Sequence, residues 1–143
     1  MERDTIKLLK ECDSGCKMAV DSIRQVKEYA DKESLIQVLD SYDKKHRKLR
    51  DEIATLLKEY DEDGKNPEKM ASAFSWITTE MKLMIKDDSQ QIAKIMMDGC
   101  NMGIQSLSEY INKYTDASRE SISIARNVIK TEEAFAKDLR EFM

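Results

Sequence analysis

Proline is nearly absent from this chain and glycine is scarce: one and four, respectively, among 143 residues. That scarcity excludes collagen-like and proline-rich chains, and it cannot serve the many turns of an all-β domain. No apolar run approaches the roughly 18 residues needed to span a bilayer, and the start, Met1-Glu-Arg-Asp-Thr-Ile-Lys, carries no hydrophobic signal region. Basic excess is missing too. The 24 Lys and Arg against 28 Asp and Glu give a net charge of −4, which disfavours a nucleic-acid binder and its need for a net basic surface. The cysteines are three, Cys12, Cys16 and Cys100. An odd number without a signal peptide reads as free thiols in a reducing cytoplasm.

What is present is helical patterning. The periodicity predicts one all-α domain over 1–143. A first helix is expected over about 4–30 and a second over about 32–60, so closely joined that they form an antiparallel hairpin. The acidic run Glu59-Tyr60-Asp61-Glu62-Asp63 and the following Gly64 are expected to end the second helix, with Gly64 as its left-handed cap. Asn66-Pro67-Glu68 has the form of a helix start, opening a crossover helix over 67–86. Asp87-Asp88-Ser89 then restarts the chain into a third helix ending near Tyr114, and Asp116 or Ser118 caps a fourth. The hairpins are thus about 4–60 and 89–143. A 20-residue crossover helix reaches roughly 30 Å, enough to return the chain along the bundle and set the second and third helices parallel. That is the one-crossover, ferritin-like topology.

The two hairpins share a repeat. Gly15-Cys16-Lys17-Met18-Ala19-Val20-Asp21-Ser22-Ile23 aligns with Gly99-Cys100-Asn101-Met102-Gly103-Ile104-Gln105-Ser106-Leu107, so the hairpins read as related halves. Gly15, Gly99 and Gly103 lie inside helices, where glycine costs about 1 kcal/mol relative to alanine. Close helix–helix contact is the expected reason; approach of a ligand to the backbone is the alternative.

Helical spacing puts Cys16 on the inner stripe of the first helix, His46 on that of the second, Cys100 on that of the third and Glu132 on that of the fourth. Each lies near mid-helix, so the four are expected in one central layer, where ferritin-like di-metal proteins place two Glu and two Glu-x-x-His motifs. Here Asp43-Lys-Lys-His46 keeps an acid-x-x-His step, while Glu132-Glu-Ala-Phe135 has Phe in the place of His. One histidine in the chain cannot build a standard di-iron oxygen site. Two thiolates, an imidazole and a carboxylate can form a four-coordinate zinc shell, and zinc or iron is the metal reading of this layer. The competing and preferred reading makes Cys16 and Cys100 small core fillers and His46–Glu132 a buried hydrogen-bonded pair, with no cofactor. A redox thiol pair needs exposed thiols of low pKa, and a central layer is a poor place for them.

The stretch Lys44-Lys45-His46-Arg47-Lys48-Leu49-Arg50 looks basic, but Asp40, Asp43, Asp51 and Glu52 stand at i,i+4 to its cations; it reads as a solvated, ion-paired face. Asp61-Glu-Asp63-Gly64 starts like a calcium loop and lacks the ligands that should follow. Met70, Phe74, Ile77, Met81 and Met84 form a stripe that can dock the crossover on the bundle. Trp76, Leu83, Ile95 and Met102 are left as surplus apolar surface and are assigned to an interface, either between copies of the chain or with another protein.

Ala73-Phe74-Ser75-Trp76-Ile77, Lys86-Asp87-Asp88-Ser89-Gln90-Gln91-Ile92-Ala93-Lys94, Met97-Asp98-Gly99-Cys100-Asn101-Met102-Gly103-Ile104 and Thr131-Glu132-Glu133 resemble an uncharacterised bacterial family of ferritin-like helical bundles. The likeness covers most of the chain and implies a ferritin-like fold and a bacterial, cytoplasmic protein with no assigned activity. Members carry small or polar residues where Cys16 and Cys100 stand, a departure that argues against a metal role shared by the family. The function expected from the sequence is therefore a non-enzymatic bundle acting by protein–protein contact, with homo-oligomers expected and neither nucleic acid nor membrane as partner.

Overall fold

The computed structural model describes residues 1–64 and 88–143. They form four helices: α1 over Glu2–Lys27, α2 over Glu33–Lys58, α3 over Ser89–Lys113 and α4 over Arg119–Leu139, the last followed by a 3-10 turn over Arg140–Phe142. The expected crossover helix over 67–86, with its docking stripe and with Trp76 and Leu83, lies outside the described residues. Among the described residues no helix is long and apolar enough to cross a membrane.

Two helix starts follow directly from local chemistry. The Asp88 carboxylate accepts from the Gln91 N–H at 3.0 Å at the head of α3, and the Ser118 hydroxyl accepts from the Ser121 N–H at 3.2 Å at the head of α4. Each satisfies an amide that the helix itself cannot pair. The end of α2 differs from expectation. The helix stops at Lys58, and Asp61, with φ 56°, takes the left-handed conformation assigned above to Gly64. The Glu62 N–H donates to the Leu57 carbonyl and the Asp61 N–H to the Lys58 carbonyl, each at 3.1 Å, closing the turn as a Schellman motif. Aspartate tolerates this conformation better than most residues, so the chain turns three residues before its glycine.

Direction follows from contacts. The head of α1 is tied to the α3–α4 turn: the Ser118 N–H donates to Thr5 Oγ1 at 2.8 Å and the Asp116 N–H to Asp4 Oδ2 at 3.2 Å. Lys10 of α1 pairs with Glu62, just past α2, at 2.9 Å. The end of α2, the end of α3 and the starts of α1 and α4 therefore share one pole. It follows that α2 and α3 run parallel, and that Gly64 and Asp88 lie towards opposite poles, as the sequence predicts.

The core is split along its length. At the pole holding the α1–α2 turn, Ile23, Val26, Leu35, Leu39, Ile92 and Phe135 belong to one buried apolar cluster. At the other, Leu8, Leu9, Cys12, Ile53, Leu57 and Leu107 belong to a second. Burial of this order, about 1.5–3 kcal/mol for each large side chain, is the main force holding the helices together. Ile95, expected on an outer face, is 2% exposed and packs in the first cluster. Its neighbours Ile92 and Met96 flank it there, so the buried arc of α3 is wider than a single stripe. Met102 is on the surface as expected, 45% exposed.

Candidate functional site

Between the two apolar clusters lies a polar layer. His46, on α2, is 0% exposed, and Glu132, on α4, is 7% exposed. They face each other: His46 Nε2 meets Glu132 Oε1. The other ring nitrogen, Nδ1, donates to the Tyr42 carbonyl at 2.6 Å. That carbonyl can only accept, so Nδ1 carries a proton, and a second proton is held between Nε2 and the carboxylate. Burial by itself would lower the imidazole pKa; the hydrogen bond and charge of Glu132, the Tyr42 carbonyl and the charge of Asp43 together outweigh it and raise the value above 6.5. The pair is best described as imidazolium and carboxylate. Neither group is left uncompensated, which is the condition for keeping charge inside a core.

The two expected cysteines flank this pair. Cys100 donates its thiol hydrogen to Glu132 and belongs to the first apolar cluster. Cys16 lies within electrostatic reach of Glu132 and belongs to the second. The structure thus gathers the four predicted residues around Glu132. Burial, then the negative charge of nearby groups, pushes all three thiols up, Cys12 to about 12 and Cys16 and Cys100 well above their ordinary value. All three are free and buried, so they lack the access and the low pKa of redox-active thiols.

The donor set does not fit a metal. Both nitrogens of His46 are already engaged. Among the described residues no group of three or more His, Cys, Asp and Glu side chains is arranged to hold an ion. Asp43, the acid of the Asp-x-x-His step, turns away: it pairs with Arg47 at 3.2 Å and reaches Arg24 of α1 at 3.7 Å. The Asp43–Arg47 bond is one of the i,i+4 pairs expected from the sequence. Asp40 instead crosses the hairpin to Lys27 at 2.5 Å.

Some parts of the layer were not read from the sequence. Phe135 stacks on Tyr42 with ring centroids 4.5 Å apart, and the Tyr42 hydroxyl donates to Asp138 Oδ2 at 2.6 Å. Burial and then this bond raise the phenol pKa. These contacts hold α2 against α4 within a turn of His46, fixing the carbonyl on which the ring depends. Spacing alone shows that Tyr42 and His46 share a face; it does not show the partner strand of chemistry on α4.

The repeat acquires a geometric meaning. α1 and α3 are antiparallel neighbours, and a cavity of about 80 Å3 lies between them. Gly15, Ala19 and Ser22 line it from α1, and their repeat equivalents Gly99, Gly103 and Ser106 line it from α3. The two copies of the motif are thus opposite walls, related by an approximate two-fold. Among the described residues, a close contact accounts for one glycine of the three. A Cβ built on Gly15 or Gly99 meets nothing within 4 Å among the described residues, whereas one on Gly103 meets Glu132 Oε2 at 3.6 Å. Small residues at matching positions of both repeats were the available signal for this cavity.

No protein-family model, curated protein or solved structure matches this chain.

Proposed function

We propose that the chain is a ferritin-like bundle that works by contact with other proteins, first of all with further copies of itself, and carries out no catalysis. The observation that carries this reading is the closed His46–Glu132 pair at the level where a ferritin-like di-metal protein keeps its ligands. Each group satisfies the other, and the thiols beside them are held protonated by burial. Such a layer packs and orients helices; it offers no nucleophile, and both nitrogens of His46 are engaged.

The parallel course of α2 and α3 supports the one-crossover topology. On this reading Trp76, Leu83 and Met102 belong to the contact surface, and Ile95, being buried, does not. Three free cysteines and the motifs quoted above support a bacterial cytoplasmic protein of the resembled family. Sedimentation equilibrium of the full chain at micromolar concentration tests the proposal. A mass at a multiple of 16.6 kDa, returning to the monomer value in Trp76→Asp or Met102→Asp, is expected. A monomer at every concentration overturns self-association.

A further inference from the structure

The space between α1 and α3 is not used by the reading above, although Met102 and Glu132 of that reading line it. We propose that it is a binding site for a small primary amine on a short aliphatic chain, with Glu132 as the group that receives the ammonium.

Four observations meet there. The first is the space itself, about 80 Å3. Apolar cavities of about 150 Å3 accept benzene, so this one takes a chain of a few carbons and not a ring. The second is the lining. Met18, Met96, Leu107, Val128 and Phe135 supply apolar walls, and the carboxyl groups among the described lining residues are those of Glu11 and Glu132, with no basic side chain beside them. A cation with an apolar tail matches that combination; an anion does not.

The third is the state of Glu132. Its carboxylate offers about four lone-pair directions. His46 takes one at Oε1 and the Cys100 thiol takes another, while Oε2 faces Gly103 at the cavity wall. Acceptor capacity therefore remains on a buried side chain, 9% exposed, and Oε2 is directed where a ligand would lie. An ammonium donating to Oε2 makes a charge-assisted bond of the stronger kind, and Glu11 in the same lining supplies the second negative charge that balances it beside the His46 imidazolium.

The fourth is glycine placement. At Gly15 and Gly99 the helix gives up about 1 kcal/mol each relative to alanine, with no described atom that a Cβ would strike. What these glycines provide is volume, and they provide it on both walls at equivalent positions of the repeat.

The test is an NMR titration of the full chain with 13C-methyl-labelled methionine. The methyls of Met18, Met96 and Met102 border the cavity, while Met1 and Met143 are exposed elsewhere. 1-Propylamine is the probe; propionate and 1-propanol are the comparison arms. Saturable shifts of the three cavity methyls with propylamine are expected, at least ten-fold weaker binding with propanol, and no response to propionate. Gly99→Leu fills the cavity from α3 and is expected to abolish the shifts. Glu132→Gln keeps the shape and removes the charge, and is expected to weaken the amine at least ten-fold while leaving propanol unchanged. Circular dichroism confirms that each variant is folded; where one is not, the other decides. Absence of saturable shifts in the parent protein overturns the proposal. So does equal binding of propionate, or undiminished amine binding in folded Glu132→Gln.

Discussion

One helix, α1, presents two edges to its neighbours, and the edges are built on opposite plans. Towards α2 it is closed and charged at the rim: Lys10–Glu62, Arg24–Asp43 and Lys27–Asp40 bridge the seam over an apolar interior. Towards α3 it presents small residues, Gly15, Ala19 and Ser22, bordering a cavity that Met18 and one acid, Glu11, also line. The same helix therefore spends its stability on one side and reserves space on the other. The difference teaches where to look for function. A seam that is ion-paired along its length is structural, whereas helical glycines that touch nothing among the described residues mark a place kept available.

The largest expected effect comes from the layer both seams share. His46→Ala leaves the Glu132 charge buried and unpaired, and is expected to cost about 3–5 kcal/mol in urea unfolding. Replacing both residues with leucine removes the problem together with the pair and is expected to stay within about 1.5 kcal/mol of the parent. The pair also carries a pH signature. Because folding raises the imidazole pKa above 6.5, its contribution is complete below that value and is lost as pH rises through the higher, folded one. Unfolding free energy should therefore fall as pH rises above about 6.5 in the parent and stay flatter in the double-leucine variant. An equal slope in both would remove the pair from the account.

The glycine edge gives the next effect, with opposite sign. Gly15→Ala and Gly99→Ala should each stabilise the bundle by about 1 kcal/mol, since alanine favours helix and meets no described atom. Loss of stability would mean that the cavity is a packed contact, and the contrast between the two edges would collapse. The smallest effect belongs to the rim of the charged edge. Lys27→Ala breaks an exposed pair with Asp40 and is expected to change stability by less than about 1 kcal/mol. A larger loss would mean that this rim forms a network rather than a set of independent pairs.

Much of this architecture is legible in the sequence. Helical periodicity gave four helices with boundaries within four residues of those observed, because long amphipathic stretches with clear caps leave little choice. The meeting of His46 with Glu132, 86 positions apart, was legible for the same reason: mid-helix residues on inward stripes share a layer whichever way helices run. What failed were the readings that depend on neighbours. Ile95 has the same side chain whether it faces a core or a partner, and only the width of the buried arc on α3 decides. At Gly15 and Gly99 the sequence alone does not separate a packing glycine from one beside a cavity; among the described residues nothing lies within 4 Å of an added Cβ. Asp61 displaced Gly64 as the turning residue because the hydrogen bonds to Leu57 and Lys58 set where α2 ends, and local propensity alone ranks the glycine first.

The polar layer also acts as a key for longitudinal alignment. Apolar clusters above and below it are tolerant: leucine and isoleucine can exchange neighbours when two helices slide. A slide of α4 by one turn, about 5.4 Å, would carry Glu132 away from His46 and into surroundings like those of Phe135 or Val128, with no partner for its charge. Every staggered arrangement of the two hairpins is penalised in this way, and only the one alignment in which Nε2 meets the carboxylate escapes. In a bundle whose first and third helices share a nine-residue pattern, a single buried ion pair favours one alignment over its staggered alternatives.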